Sequence, residues 1–224
     1  MKTSKLLIGT LAIALSFSAC QNKSTTSETG DSTMDMSSDS SHNMESTESK
    51  SPIMGAMDKM MTDMHQMQMT GNVDVDFAMM MKGHHQGAVD MAQAQLTSGS
   101  DAKLKAMAQK IVDAQQSEIA ELDKFLDANK SAAKNYDPMD KEKGFGKVMD
   151  KNMSMMMDMP KTEGESLDMQ FVKMMIPHHQ SAVYMAEGFL QSGKDPKLIA
   201  MAKKMISDQN KEIDEFKSIQ STLK

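Results

Sequence analysis

Apolar and polar positions recur through much of this chain with the period of an α-helix. Phe77, Met80, His84, Ala88, Met91 and Gln95 fall on one stripe; Phe171, Met174, His178, Ala182, Met185 and Phe189 fall on another. Spacings of three and four put such residues on a single helical face. Ser98-Gly99 then marks a turn, and a second stripe follows: Leu104, Met107, Ala108, Ile111, Gln115, Ile119 and Leu122. Ser192-Gly193 introduces its equivalent. Asp195-Pro196 reads as an N-cap with proline at the first helical position, and Asp101 takes the same place in the earlier stretch. No run of alternating apolar and polar residues predicts a strand.

The two stretches are copies. Residues 77–122 align without a gap with 171–216 at a constant offset of 94, and about half the positions are identical. His84-His85-Gln86 matches His178-His179-Gln180, Met91-Ala92 matches Met185-Ala186, and Glu118-Ile119 matches Glu212-Ile213. Each copy predicts a helical hairpin with one apolar face. Two such hairpins bury those faces most simply against each other, so the chain is expected to be all-α, a four-helix bundle of two duplicated hairpins.

Methionine-rich segments flank the hairpins. Ser51-Pro52 opens one of them, Met54, Met57, Met60, Met61, Met64, Met67 and Met69 give it helical spacing, and Gly71-Asn72 closes it. The other lies in the connector, with Met149, Met153, Met155, Met156, Met157 and Met159 among Pro138, Gly144, Gly146 and Pro160. A connector this long points to a role of its own. The expected organisation is therefore a leader over 1–20, a tether over 21–50, a Met-rich helical segment over 51–71, a first hairpin over 72–128, a Met-rich connector over 129–165 and a second hairpin over 166–224.

Composition narrows the chemistry. The 224 residues include 29 Met, one Cys and no Trp. All 25 basic residues are Lys, against 31 acids. A nucleic-acid partner would call for a basic, Arg-bearing face, so none is expected. Lys2 and Lys5 precede a short apolar run, Leu6 to Phe17, which ends at Ser18-Ala19-Cys20. That pattern reads as an export signal with a bacterial lipoprotein cleavage site. It predicts lipidation at Cys20, attachment to the membrane through that lipid alone, and a place in the cell envelope, periplasmic or at the outer membrane. Residues 21–50 are Ser, Thr, Asp, Glu and Asn with almost no large apolar side chain, the composition of a flexible tether.

In an antiparallel hairpin, positions equally far from the turn lie level. Met91 then sits beside Met107, His84-His85 beside Gln115, and Met80-Met81 beside Glu118; Met185, His178-His179 and Met174-Met175 stand likewise to Met201, Gln209 and Glu212. Imidazole next to thioether is a donor set for Cu(I) or Ag(I), with imidazole alone also serving Cu(II). The candidate ligands are therefore Met80, Met81, His84, His85, Met91 and Met107, with Met174, Met175, His178, His179, Met185 and Met201. Gln115, Glu118, Gln209 and Glu212 are expected to orient the imidazoles or to bind directly. Gly83 and Pro177, just before each His pair, are expected to loosen the helix there.

The pattern Phe77, Met81, His84-His85, Met91-Ala92, Asp101, Gln115 and Glu118-Ile119, with its second copy, resembles the bacterial domain of unknown function 305 family, which includes CopM-like periplasmic copper-binding proteins. The resemblance implies a ferritin-like helical bundle and a role in copper or silver tolerance. The function expected is an envelope protein that sequesters or transfers Cu(I) or Ag(I), a binder and not an enzyme, handing its ion to copper-trafficking proteins. A ferritin-like oxidase acting on Cu(I) is the alternative from another class, and a metal-free interaction module a third. The absence of any Glu-x-x-His pair argues against a carboxylate di-iron centre.

Overall fold

The computed structural model describes residues 50–223. The expected leader, Cys20 and all but the last residue of the tether lie outside the described residues. Six helices form, and no strand occurs among the described residues: α1 (Pro52–His65), α2 (Val73–Ser98), α3 (Ala102–Ala128), α4 (Gly144–Met157), α5 (Leu167–Leu190) and α6 (Pro196–Gln220). Among the described residues no helix is long and apolar enough to cross a membrane.

Side-chain oxygens set most of the starts. Ser51 accepts the Met54 N–H at 3.3 Å, and Asn72, Asp101, Ser166 and Asp195 cap α2, α3, α5 and α6 in the same manner. The first helix ends at His65, earlier than its methionine spacing predicts, so Met67 and Met69 lie on the loop that follows. Asp76 is the reason. Its carboxylate accepts the Thr70 N–H and hydroxyl, both at 2.7 Å, and the Gly71 N–H at 2.9 Å. Gly71 turns the chain there with φ of 84°, a left-handed conformation that glycine adopts freely.

α2 and α5 run antiparallel through the centre. Phe77 stacks on Phe189 with ring centroids 3.9 Å apart, and one stretch further along His84 meets His178. α3 packs along α2 and α6 along α5, which gives the two expected hairpins, joined through their first helices. α1 lies on α2 and reaches α5, while α4 lies on α5.

The repeat is larger than a hairpin. Met57-Asp58-Lys59 in α1 recurs as Met149-Asp150-Lys151 in α4, at an offset of 92. The buried positions agree: Ile53, Met60 and Met64 correspond to Phe145, Asn152 and Met156, all fully or almost fully buried. Each repeat is thus three helices, α1–α3 and α4–α6. The change of offset from 92 to 94 places two extra residues in the loop before α5, which is why a constant-offset alignment stops short of these helices.

The repeats also cap one another. Asp168, in the first turn of α5, accepts the Ser100 and Asp101 N–H groups at 3.0 and 3.1 Å, at the entry to α3. Asp74, its counterpart at the start of α2, accepts the Lys194 and Asp195 N–H groups at 2.8 and 2.9 Å, at the entry to α6. An anion beside a helix N-terminus is favourable, and here the anion comes from the other repeat each time.

Both α2 and α5 continue as helix past Gly83 and Pro177, so no break opens at these positions. Gly83 is small for a packing reason: a Cβ there would lie 2.5 Å from Met67 Cε.

Candidate metal centre

All four motif histidines are fully buried. His84 and His178 meet across the α2–α5 contact, their ring centroids 3.8 Å apart and their planes tilted by 40°. These two residues are copies of each other under the offset of 94. Equivalent residues of two related units touch only where the pseudo-two-fold axis runs, so the axis passes through this pair. The hairpins therefore contribute one histidine each to a single shared pair, rather than building one such pair apiece.

The outer histidines behave differently. His85 Nε2 lies 2.9 Å from Glu118 Oε2, and His179 Nε2 lies 2.8 Å from Glu212 Oε2. Counting from the turn put Gln115, not Glu118, level with His85. Side chains lean toward the N-terminus of their own helix, so His85 tilts away from the turn and Glu118 toward it, and the two meet. Gln115 and Gln209 are buried with their Oε1 atoms unpartnered.

The central pair lacks ordinary partners. Neither ring nitrogen of His84 has a hydrogen-bond partner, and neither has Nδ1 of His178. A buried polar group left unpaired costs about 1–3 kcal/mol. His178 Nε2 instead faces a sulfur, Met60 Sδ at 3.3 Å. Burial, the largest cause, holds both imidazoles well below their ordinary pKa, and the neighbouring imidazoles push in the same direction. Both are thus neutral at pH 7, with nitrogen lone pairs free of competing protons.

Met60 was not among the expected ligands. It belongs to α1 and reaches the pair because Gly87 lets that helix come close: a Cβ at Gly87 would collide with Met60 Sδ. The glycine one turn after His84-His85, facing a Met-rich helix, was the signal available in the sequence. Met80, Met81, Met91, Met107, Met174, Met175 and Met185 are buried in the same apolar core as Met60. Met201 is half-buried, packs against that core and lines a groove with Glu121, Lys124 and Phe125 of α3. Met107 also borders Glu215, Ser218 and Ile219 of α6. Among the described residues, no three His, Cys, Asp or Glu side chains converge into a metal cage. A metal held here would bind to the central imidazoles together with thioether sulfur, a soft donor set that His84, His178 and Met60 supply.

The chain matches the DUF305 family, a domain of unknown function, over residues 18–126 and again over 74–220. Among solved structures, CopM in the apo form is 26% identical, with a TM-score of 0.51, covering 66% of this chain and 96% of that one. CopM in the Cu(I)-bound form is 28% identical, with the same TM-score, covering 69% and 98%. CopM in the Ag-bound form, obtained by soaking, is 26% identical, again with a TM-score of 0.51, over 69% and 98%. Comparison with curated protein sequences finds no match.

Proposed function

We propose that this chain, which belongs to the DUF305 family, binds Cu(I) or Ag(I) at the His84–His178 pair and sequesters or hands on that ion. The observation that carries this reading is the pair itself: two neutral imidazoles, wholly buried, with three nitrogens unpartnered and a thioether sulfur 3.3 Å from the fourth. A core built for stability alone would place apolar side chains here. Imidazole nitrogen and thioether sulfur together select a soft monovalent ion over Zn(II), Mg(II) or Ca(II). Neither donor loses a proton on binding at neutral pH, so uptake does not compete with hydrogen ions. The solved CopM structures with Cu(I), Cu(II) and silver support the same class of ligand.

Glu118 and Glu212 would act one step further out. Each holds the Nε2 side of an outer histidine and so fixes the ring plane next to the central pair. The proposal is of a binding protein rather than an enzyme. It works in the cell envelope, held by a lipid on Cys20.

Anaerobic titration of the chain with Cu(I) against a coloured competing chelator tests the reading, with His84→Ala/His178→Ala as the comparison. The tightest equivalent should disappear in the double variant. Retention of that equivalent, or no uptake by the wild type at micromolar Cu(I), refutes it.

A further inference from the structure

Two copies of one fold need not do the same work, and the faces of α2 and α5 differ where α1 and α4 cover them. On α2, Met79, Gly83 and Gly87 follow one another at intervals of four residues. Each interval is about one turn, or 6 Å along the axis. Met67 packs into the space left by Gly83, with its Sδ 3.7 Å from where a Cβ would stand, and Met60 Sδ fills the space left by Gly87. Three thioethers, those of Met79, Met67 and Met60, therefore rise along one helix face at one-turn steps. Met79 and Met67 are half-buried, and Met60 is buried. The last of them touches His178.

All three border one surface cavity of about 260 Å³, whose walls include Gly83, Gly87 and Leu126. Its charged neighbours are largely satisfied: Lys59 pairs with Asp63, Lys82 with Asp123, and Gln86 donates to Asp90. No unpaired ammonium group of this rim stands in the way of a cation. The second repeat has lost the arrangement. Lys173, Pro177 and Ser181 replace Met79, Gly83 and Gly87, and Asn152 replaces Met60. Lys173 pairs with Glu165, and the Asn152 amide donates to the Ser181 carbonyl and hydroxyl, both at 2.8 Å. Of the three methionine-ladder positions, only Met67 keeps a methionine in the copy, at Met159.

We propose that Met79, Met67 and Met60 form a one-sided entry ladder, in which a soft monovalent ion is captured by the outer thioethers and passed through Met60 to the buried histidine pair. The inference rests on the histidine pair binding such an ion. Thioethers suit the task because they bind Cu(I) or Ag(I) without giving up a proton and exchange the ion by sliding from sulfur to sulfur. Met60 is both a wall of the cavity and a neighbour of His178, so a change of its rotamer carries the ion across the boundary between surface and core.

The test uses the whole chain and Cu(I) delivered anaerobically from its bicinchoninate complex, following loss of the complex's colour by stopped flow. Met67→Leu/Met79→Leu removes the outer sulfurs at nearly constant volume. Loading should slow by about tenfold or more, the scale on which loss of a supporting contact weakens metal capture. The final equivalent held at the histidine pair, read by competition at equilibrium, should be unchanged. Met159→Leu, the matching position of the second repeat, should load at the wild-type rate. Wild-type loading rates in Met67→Leu/Met79→Leu, or equal slowing in Met159→Leu, overturn the ladder while leaving the histidine site standing. No uptake by the wild type removes the histidine site itself, and the ladder falls with it.

Discussion

If His84 and His178 are kept for a ligand, removing them should make the empty protein more stable. The perturbation is His84→Leu/His178→Leu, which replaces two imidazoles with apolar groups of similar size. In the wild type three of their nitrogens are buried without a partner. At about 1–3 kcal/mol each, the gross relief is roughly 3–9 kcal/mol. Against it stand the lost ring contact at 3.8 Å, worth about 0.5–1.5 kcal/mol, and some repacking around Met60. A net gain of at least about 1 kcal/mol remains, and for a folded region of this size each kcal/mol raises Tm by about 2–4 °C. With Ag(I) present at a thousand times its dissociation constant, the wild type gains about 4 kcal/mol and the variant does not, so the difference shifts toward the wild type by that amount. Thermal denaturation of both proteins, with and without Ag(I), reads all four values. A variant that is less stable than the wild type when empty, or one that keeps the full metal-induced rise, would show that the pair is ordinary core.

Acid should weaken the empty wild type by a related route. His84 and His178 are held below their ordinary pKa, chiefly by burial, so below about pH 6.5 the unfolded chain takes up protons that the folded one refuses. Their contribution is complete above that pH and declines as pH falls, by up to about 1.4 kcal/mol per pH unit for each histidine. Urea denaturation from pH 7 to 5 should show this slope in the wild type and a shallower one in His84→Leu/His178→Leu; parallel slopes count against it. The reciprocal caps give a separate prediction, checked by the same denaturation at pH 7. Asp168→Ala should cost about 2–3 kcal/mol and Asp74→Ala less, since Asp168 also binds the Ser100 hydroxyl and the Gln95 amide, the latter at 2.5 Å. Burial pushes the Asp168 carboxyl up, yet its hydrogen bonds from Ser100, Gln95 and the Asp101 N–H together hold it below the usual carboxylate value. Its share of stability is therefore present at neutral pH and is lost in strong acid.

The sequence by itself determined the helices of the two hairpins, the caps at Ser51, Asp101 and Asp195, and the doubling of the hairpins. Period and cap residues are local properties: Ser51, Asp101 and Asp195 satisfy N–H groups two or three residues ahead, so nothing distant needs to be known. It also singled out the four histidines, through their repetition beside methionine. Which atoms meet was decided only by the tertiary structure, because those contacts join residues far apart in the chain. Counting within a hairpin assigned each histidine to its own repeat, whereas packing brought His84 onto His178 across the axis that relates the repeats. Met60 lies 118 residues from the histidine it touches. It gets there because two glycines on α2 let a methionine-bearing helix and loop come close, a consequence of absent Cβ atoms that no periodicity records. The apolar pattern likewise marks Met60, Met81 and Met175 alike as buried, and could not say that Met60 faces an imidazole. Burial is written in the spacing of residues, but partnership depends on which helix covers which face.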